Sequence, residues 1–231
     1  MKVALFDIDG TILLAHGAGR RSMESALVAT VGTPGPGGQH YAGKTDRQIV
    51  REAMRASGFS DADVDSRMED ILRVYLSGLA AELTTGGSEP IVTLPGVPAV
   101  LAACEAHQGV LLGLLTGNLV TGAEHKLRAV GVDPGRFSVG AFGSDHEDRA
   151  ALAALARVRA SAHLGRDVNA SACVVIGDTP ADVACGQAIG ARTIAVATGG
   201  FTVDQLRRCD PHVVFEDLSD TAAVMDAILD G

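Results

Sequence analysis

Val3-Ala4-Leu5-Phe6-Asp7-Ile8-Asp9-Gly10-Thr11 carries an apolar run straight into two carboxylates spaced two residues apart. Side chains at i and i+2 project to the same side of an extended strand. Two like charges placed there repel, and burying them is costly unless a cation joins them. A strand ending in a polar Asp-Gly turn would account for this segment taken alone. A second stretch, Val174-Val175-Ile176-Gly177-Asp178-Thr179-Pro180-Ala181-Asp182, repeats the design: apolar strand, glycine, aspartate, and a further aspartate four residues on. Ligands of open α/β sheets bind beyond the carboxyl ends of the strands, so Asp7, Asp9 and Asp178 converge if the two strands are neighbours. Three carboxylates without cysteine or clustered histidine suit a hard divalent ion, Mg²⁺ above all.

Working outward, short runs rich in Val, Ile and Leu recur at residues 3–8, 110–115, 139–142, 172–176, 193–197 and 213–215. Each has strand length and is apolar at nearly every position, the pattern of strands covered on both faces. Helical periodicity at 97–107, 122–130, 147–163 and 181–189 separates several of them, which predicts a parallel sheet sandwiched by helices. No convincing strand lies between the first run and the second. There, Val64, Met68, Ile71, Leu72, Tyr75, Leu76 and Leu79 follow steps of three and four, one face of a helix over 61–83 with Asp61 as N-cap. Residues 22–31 and 46–56 also read as helices, with Thr33-Pro34-Gly35-Pro36-Gly37-Gly38 breaking the chain between them. Gly86-Gly87-Ser88-Glu89-Pro90 reads as a return linker. The expected organisation is an α/β core, 1–14 and 88–231, with an all-α cap, 15–87, inserted between the first two strands.

The chain has 231 residues, with 19 Lys and Arg against 28 Asp and Glu, a formal net charge of −9. A hydrophobic fraction of 47% and a charged fraction of 20% are those of a globular chain and exclude disorder or collagen-like repeats. An acidic chain is a poor partner for nucleic acid or an anionic membrane through its overall field, so local cations must attract any anionic substrate. Aromatics at 3% and the lack of Trp oppose base-stacking platforms. No stretch approaches the roughly 18 consecutive apolar residues of a membrane span. Cys104, Cys173, Cys185 and Cys209 form no C-x-x-C pair, which fits a reducing cytoplasm. Cys173 and Cys185 read as small packed residues, and the histidines show no metal-binding spacing.

Taken in order, the motifs resemble those of the haloacid dehalogenase superfamily. Asp7-Ile8-Asp9-Gly10-Thr11 matches its first motif, D-x-D-G-T, and Leu114-Leu115-Thr116-Gly117-Asn118 matches its second, an apolar strand ending in Ser or Thr. Arg149, after Gly143-Ser144-Asp145, stands where a Lys-Pro pair is usual, and Gly177, Asp178 and Asp182 match the fourth motif, G-D-x-x-x-D. The helical insertion resembles the family's first type of cap, as in phosphoglycolate phosphatase-like members. The resemblance spans nearly the whole chain and implies a Rossmann-like parallel sheet of order 5-4-1-2-3.

It also implies a Mg²⁺-dependent phosphatase acting on a small phosphorylated metabolite. Asp7 is then the nucleophile and Asp9 the general acid and base, protonated in one step and ionised in the next. Mg²⁺ is held by Asp7, Asp178 and the backbone carbonyl of Asp9, while Asp182 orients a metal-bound water or pairs with Arg149. Thr116 and the N–H groups of Gly117 and Asn118 hold phosphate oxygens, and Arg149 supplies positive charge to the transition state. Asp9 itself separates phosphoryl transfer from carbon–halogen cleavage, because a departing halide needs no proton and an alcohol does.

Lys44, ahead of the helix at 46–56, is a candidate for meeting a second anionic group, whereas Arg47 reads as exposed. Of Arg20 and Arg21, one faces the cleft and the other water. Lys126 is an alternative cation to Arg149 but reads first as a surface residue of its helix, and Thr198-Gly199-Gly200 is either a rim of the site or, more simply, a loop that needs glycine. A phosphosugar mutase would use the same aspartate pair. A receiver-like phosphoacceptor would gather similar residues but has no cap and about half the length. The expected state is a cytoplasmic monomer or homodimer.

Overall fold

The computed structural model describes residues 1–85 and 89–230. In chain order the elements are β1 (Lys2–Phe6), β2 (Leu13–Leu14), α1 (Ala18–Val31), α2 (Asp46–Ala56), α3 (Asp61–Thr85), β3 (Val92–Thr93), α4 (Val97–Ala106), β4 (Val110–Thr116), α5 (Val120–Ala129), β5 (Val139–Phe142), α6 (Arg149–Leu164), β6 (Cys173–Gly177), α7 (Pro180–Ala188), β7 (Arg192–Val196), α8 (Val203–Arg207), β8 (Val213–Phe215) and α9 (Thr221–Leu229). Of the expected return linker, Gly86, Gly87 and Ser88 lie outside the described residues, and so does the boundary set at residue 87.

The main sheet is parallel, with order β5-β4-β1-β6-β7-β8. In core-strand numbering this is the expected 5-4-1-2-3 extended by one: Val213–Phe215 adds a sixth strand beside β7. The alternation of β1 explains its two-sided burial. Ala4 and Phe6 enter a core with Val100, Leu101, Leu112 and Ile176, whereas Val3 and Leu5 enter a second with Leu152, Ala153, Ala156 and Val175. All four β1 residues are fully buried. Helices α4 and α9 therefore cover one face, and α6 and α7 the other.

The stretch from residue 8 to 110 differs from its expectation in three respects: α1 begins at Ala18 rather than at residue 22, Asp61 is the first residue of α3 while the Ser60 hydroxyl before it accepts from the Asp63 N–H at 3.2 Å, and a short sheet is present. β2 and β3 pair antiparallel, Leu13 opposite Thr93 and Leu14 opposite Val92, and bracket the three helices. Two residues per strand leave too short an alternation to stand out in a sequence. Within the bracket, α2 begins where expected because the Thr45 hydroxyl accepts from the Gln48 N–H at 3.1 Å. The apolar stripe of α3 is buried as Val64, Met68, Ile71, Leu72, Tyr75 and Leu79. This helix packs against α1, α2 and, across in the sheet layer, α5.

β1 ends at Phe6 rather than at residue 8. The Asp7 N–H still donates to the Ile176 carbonyl at 2.9 Å, and Gly10, at φ +81°, turns the chain so that its N–H meets the Leu13 carbonyl at 2.8 Å. Asp7 and Asp9 thus stand in the loop leaving β1, beside the loop leaving β6.

Two glycines test how much close approach matters beyond backbone conformation. Gly96 (φ +77°) lies against the backbone of Leu218, where a Cβ would overlap the carbonyl; Gly131 (φ +73°) has open space. Gly131→Ala should cost about 1–2 kcal/mol, the strain of a left-handed residue alone. Gly96→Ala should cost clearly more in urea unfolding, and equal losses would show that the Leu218 contact is slack.

Candidate active site

β1 and β6 are neighbours, with Phe6 opposite Ile176, so the loops that follow them meet where the chain order of the sheet reverses. There Asp7, Asp178 and Asp182, all buried, bring carboxylate oxygens within 4.8 Å of one another. One cation is buried with them: Arg149 lies 3.0 Å from Asp7 and also contacts Asp182. Three carboxylates facing one guanidinium leave an excess of negative charge in a dry pocket.

The titration of the group reflects that excess. Burial, with repulsion from Asp182 and Asp9 and partly offset by Arg149, raises the Asp7 carboxyl to about 6. Burial, then repulsion from Asp182 and Asp7, raises Asp178 to about 8. Burial opposes the charge of Arg149, but Asp182 and Asp7 outweigh it and hold the guanidinium above its ordinary value. Oxygen-only donors, an unmet negative charge and acids that resist ionising together fit a hard divalent cation.

Local sequence holds one of these acids and distant residues another. Asp182 closes a capping box at the start of α7: the Thr179 N–H and hydroxyl donate to its Oδ2 at 3.0 and 2.7 Å, leaving Oδ1 for Arg149. Asp178 accepts from the Thr11 hydroxyl at 3.2 Å, and a Cβ at either Gly10 or Gly199 would overlap its carboxylate. Gly199 is therefore required by close approach to an acid, a reason different from the loop flexibility expected of it.

Asp9 does not join this cluster by its side chain. Its carboxylate accepts from Lys126 Nζ at 2.6 Å and Asn118 Nδ2 at 2.8 Å, and it remains 43% exposed toward the cleft. Lys126 corrects the expectation of a surface residue. Its side chain is only 4% exposed and also donates to Asn118 Oδ1 at 2.6 Å. The signal was present in α5: Lys126 shares the buried face with Gly122, Ala123 and Leu127, where a lysine needs a partner. Thr116 lies at the end of β4, its hydroxyl accepting from the Asn118 N–H at 3.3 Å, so motif two sits directly beside Asp9.

Asp46 was read only as part of a helix start. It is buried, and its Oδ2 accepts the Leu119 N–H at 2.8 Å. Burial raises it to about 6, countered by Lys126 and the Leu119 hydrogen bond. Tyr75 on α3 supports it with a further hydrogen bond. Thr45 ties the same turn to the core by donating to the Glu147 carbonyl at 2.7 Å. Arg149, Thr116, Gly117, Asn118 and Lys44 all line one cavity of about 450 Å³ with Asp7, Asp9 and Asp178; Asp182 stands behind Arg149. Lys44 is ion-paired with Glu52, and Arg47 with Glu69 at 2.7 Å. Arg20 lines the cavity, whereas Arg21 is held by Glu82.

Fold and site define a doubly wound α/β protein with an acidic cluster at its topological switch point. The family model of the haloacid dehalogenase-like hydrolases matches residues 4–187, and the chain belongs to that family. Solved structures agree in fold. CbbY from Rhodobacter sphaeroides in complex with phosphate gives a TM-score of 0.74 at 17% identity, over 95% of this chain and 96% of that one. A hydrolase from Pseudomonas syringae gives 0.72 at 18%, over 99% of both chains. A predicted phosphoglycolate phosphatase from Haemophilus somnus 129pt gives 0.70 at 19%, over 97% and 98%. Comparison with curated protein sequences gives no match. No helix among the described residues is long and apolar enough to cross a membrane.

The raised carboxyls make a linkage prediction. Folded protein free of divalent cation binds protons that the unfolded chain releases above about pH 4, so its stability falls as pH rises through about 6 and about 8. In chelator, the Tm should drop between about pH 5 and about pH 8. Added Mg²⁺ should raise it more at the higher pH. A Tm gain independent of pH would contradict a cation shared by these acids.

Proposed function

We propose that the protein is a Mg²⁺-dependent phosphatase that hydrolyses a small phosphorylated metabolite through a phospho-aspartate on Asp7. The observation that carries this reading is the division of labour between two neighbouring acids. Asp7 lies in the carboxylate cluster, whereas Asp9 faces the cleft with a lysine on it. Asp7, Asp178 and the Asp9 backbone carbonyl would hold the cation, with Asp182 behind them. Mg²⁺ bound there supplies charge neutralisation and orientation for the phosphoryl group.

Asp7 attacks phosphorus, the bond from phosphorus to the ester oxygen breaks, and Asp9 gives its proton to that oxygen. Asp9 then takes a proton from water, whose oxygen attacks phosphorus and releases phosphate and free Asp7. Thr116 and the N–H groups of Gly117 and Asn118 orient the phosphoryl oxygens, and Arg149 balances charge beside Asp7. Lys126 and Asn118 both donate to Asp9 Oδ2 and hold the carboxyl group at the cleft wall, within reach of a leaving oxygen bound there on this reading. Helices α1, α2 and α3 would serve as the cap that closes over the cleft and excludes water. This cap and Asp9 itself disfavour a receiver-like module.

Purified protein should hydrolyse an aryl phosphate with Mg²⁺ and stop when chelator is added. Asp7→Asn should abolish turnover with the circular dichroism spectrum unchanged. Asp9→Asn should lower kcat by roughly 10²- to 10⁴-fold, the usual range for a lost acid–base group. A wild-type-like Asp7→Asn rate would remove Asp7 as nucleophile. A long-lived phosphoryl group on Asp7 without turnover would favour the phosphoacceptor instead.

Lys126→Met leaves Asp9 and Asp46 facing each other without their cation. It should reduce kcat at least tenfold while Lys126→Arg retains more activity; equal rates for the two variants would show that the charge is not used.

A further inference from the structure

We infer that the cleft selects phosphate monoesters whose alcohol portion carries no second charge and presents an apolar face. The inference rests on the phosphatase reading and narrows its substrate class.

Charge on the cleft walls is already matched. Four acids, Asp7, Asp9, Asp46 and Asp178, face four permanent cations, Arg20, Lys44, Lys126 and Arg149. Each of those cations has its own carboxylate. Lys126 sits on Asp9 and is attracted by Asp46; Arg149 bridges Asp7 and Asp182. Lys44 pairs with Glu52, and Gln48 fixes the other oxygen of Glu52 at 2.8 Å. Arg20 is held at 3.2 Å by Glu24 and at 2.6 Å by the Gln39 carbonyl, with its guanidinium stacked 4.1 Å over the Tyr41 ring. His16, also on the wall, meets Glu89 at 2.6 Å.

A divalent cation and a phosphate dianion cancel each other. The partner acids Glu24, Glu52 and Asp182 then leave the surroundings negative. A carboxylate on the substrate would enter that field with no unpaired cation among the described wall residues to receive it. Drawing Lys44 or Arg20 off its partly exposed partner leaves Glu52 or Glu24 beside the incoming carboxylate, so the exchange replaces one ion pair by another and adds a like-charge neighbour. A hydrocarbon surface meets no such obstacle: Leu14, Ala15, Met23, Ile49 and Tyr75 complete the walls. The cavity volume, about 450 Å³, lies at the small end of ligand pockets. On this reading Lys44, the candidate for meeting a second anionic group, is engaged by Glu52 instead.

The test separates charge from shape with non-hydrolysable phosphonates bound to wild-type protein in Mg²⁺, measured by calorimetry. 2-Carboxyethylphosphonate, its amide 2-carbamoylethylphosphonate, and 3-methylbutylphosphonate have the same number of non-hydrogen atoms. The two compounds with a neutral tail should bind at least tenfold more tightly than the carboxylate. In Glu52→Gln, which frees the Lys44 ammonium, the gap should narrow at least threefold. A carboxylate that binds wild type as well as its amide overturns the inference, and so does a gap unmoved by Glu52→Gln. Because no turnover is involved, either result stands apart from the fate of the phosphatase reading, which aryl phosphate hydrolysis decides.

Discussion

Two parallel strands that end side by side in acids impose a charge problem on the whole molecule. Asp7 and Asp178 are 5% and 4% exposed, and Asp182 stands beside them at 2%, with one guanidinium among the three. An isolated ionised carboxylate in such surroundings is very costly, so the group must protonate, bind a cation, or both. The raised Asp7 and Asp178 carboxyls show the first response. The surrounding chain is organised so that the cost persists. Glycines at 10 and 199 let the backbone close on Asp178, and the two neighbouring strands are buried on both faces. The fold supplies the stability, and the strand ends hold the strained charge.

Two of the acids at the site are fixed by different means. Asp182 is set by its own neighbours in sequence: Thr179 and Pro180 start α7, and the capping box orients the carboxylate before any tertiary contact is considered. Asp9 is set by residues more than a hundred positions away, Asn118 and Lys126. The first arrangement gives a rigid acid behind the site. The second joins the acid in the cleft to α5, and through Asp46 and Tyr75 to the inserted helices. Lys126 thus connects the core to the insert as well as neutralising Asp9.

That distinction also governs what could be read from the sequence. The six core strands were legible because doubly covered strands are apolar at almost every position, and 139–142 and 213–215 are reproduced without change. Helix α2 begins as expected because Thr45 caps it, and it ends as expected at Ala56, where Ser57 and Gly58 follow. Asp7, Asp178, Thr116 and Asn118 stood in recognisable local motifs and meet in one cavity. Lys126 was misplaced because its partner Asp9 is distant in sequence, and a single lysine on a helix resembles any solvated charge. Asp46 was hidden for the opposite reason: an acid at a helix start has a sufficient local explanation, which masked its bond to Leu119. α8 and α9 were not anticipated. The five residues of α8 are too few for periodicity to show, and the Ala-rich α9 lacks a polar face sharp enough to mark it.

The junction between insert and core shows why the remaining glycines stand where they do. At Gly117 a Cβ would overlap the Lys44 carbonyl; at Gly43 it would strike Ala181; at Gly143 it would overlap the Gly117 carbonyl. The Asp46 N–H donates to that same Gly117 carbonyl at 2.9 Å, and the Gly143 N–H donates to the Asn118 carbonyl at 2.8 Å. Three loops from different parts of the chain therefore meet backbone to backbone at Gly117, with the Asp46, Thr45 and Ser144 side chains bridging them at the margins. Such contact fixes position more tightly than side-chain packing, because hydrogen bonds between main chains tolerate little displacement. Gly117 lies on the wall of the cleft. The start of α2 is thus registered against that wall, and side chains that project from α2 and the turn before it, Lys44 and Ile49 among them, inherit that register. The shape that the insert presents to the cleft then depends on this glycine seam as much as on the identity of its side chains.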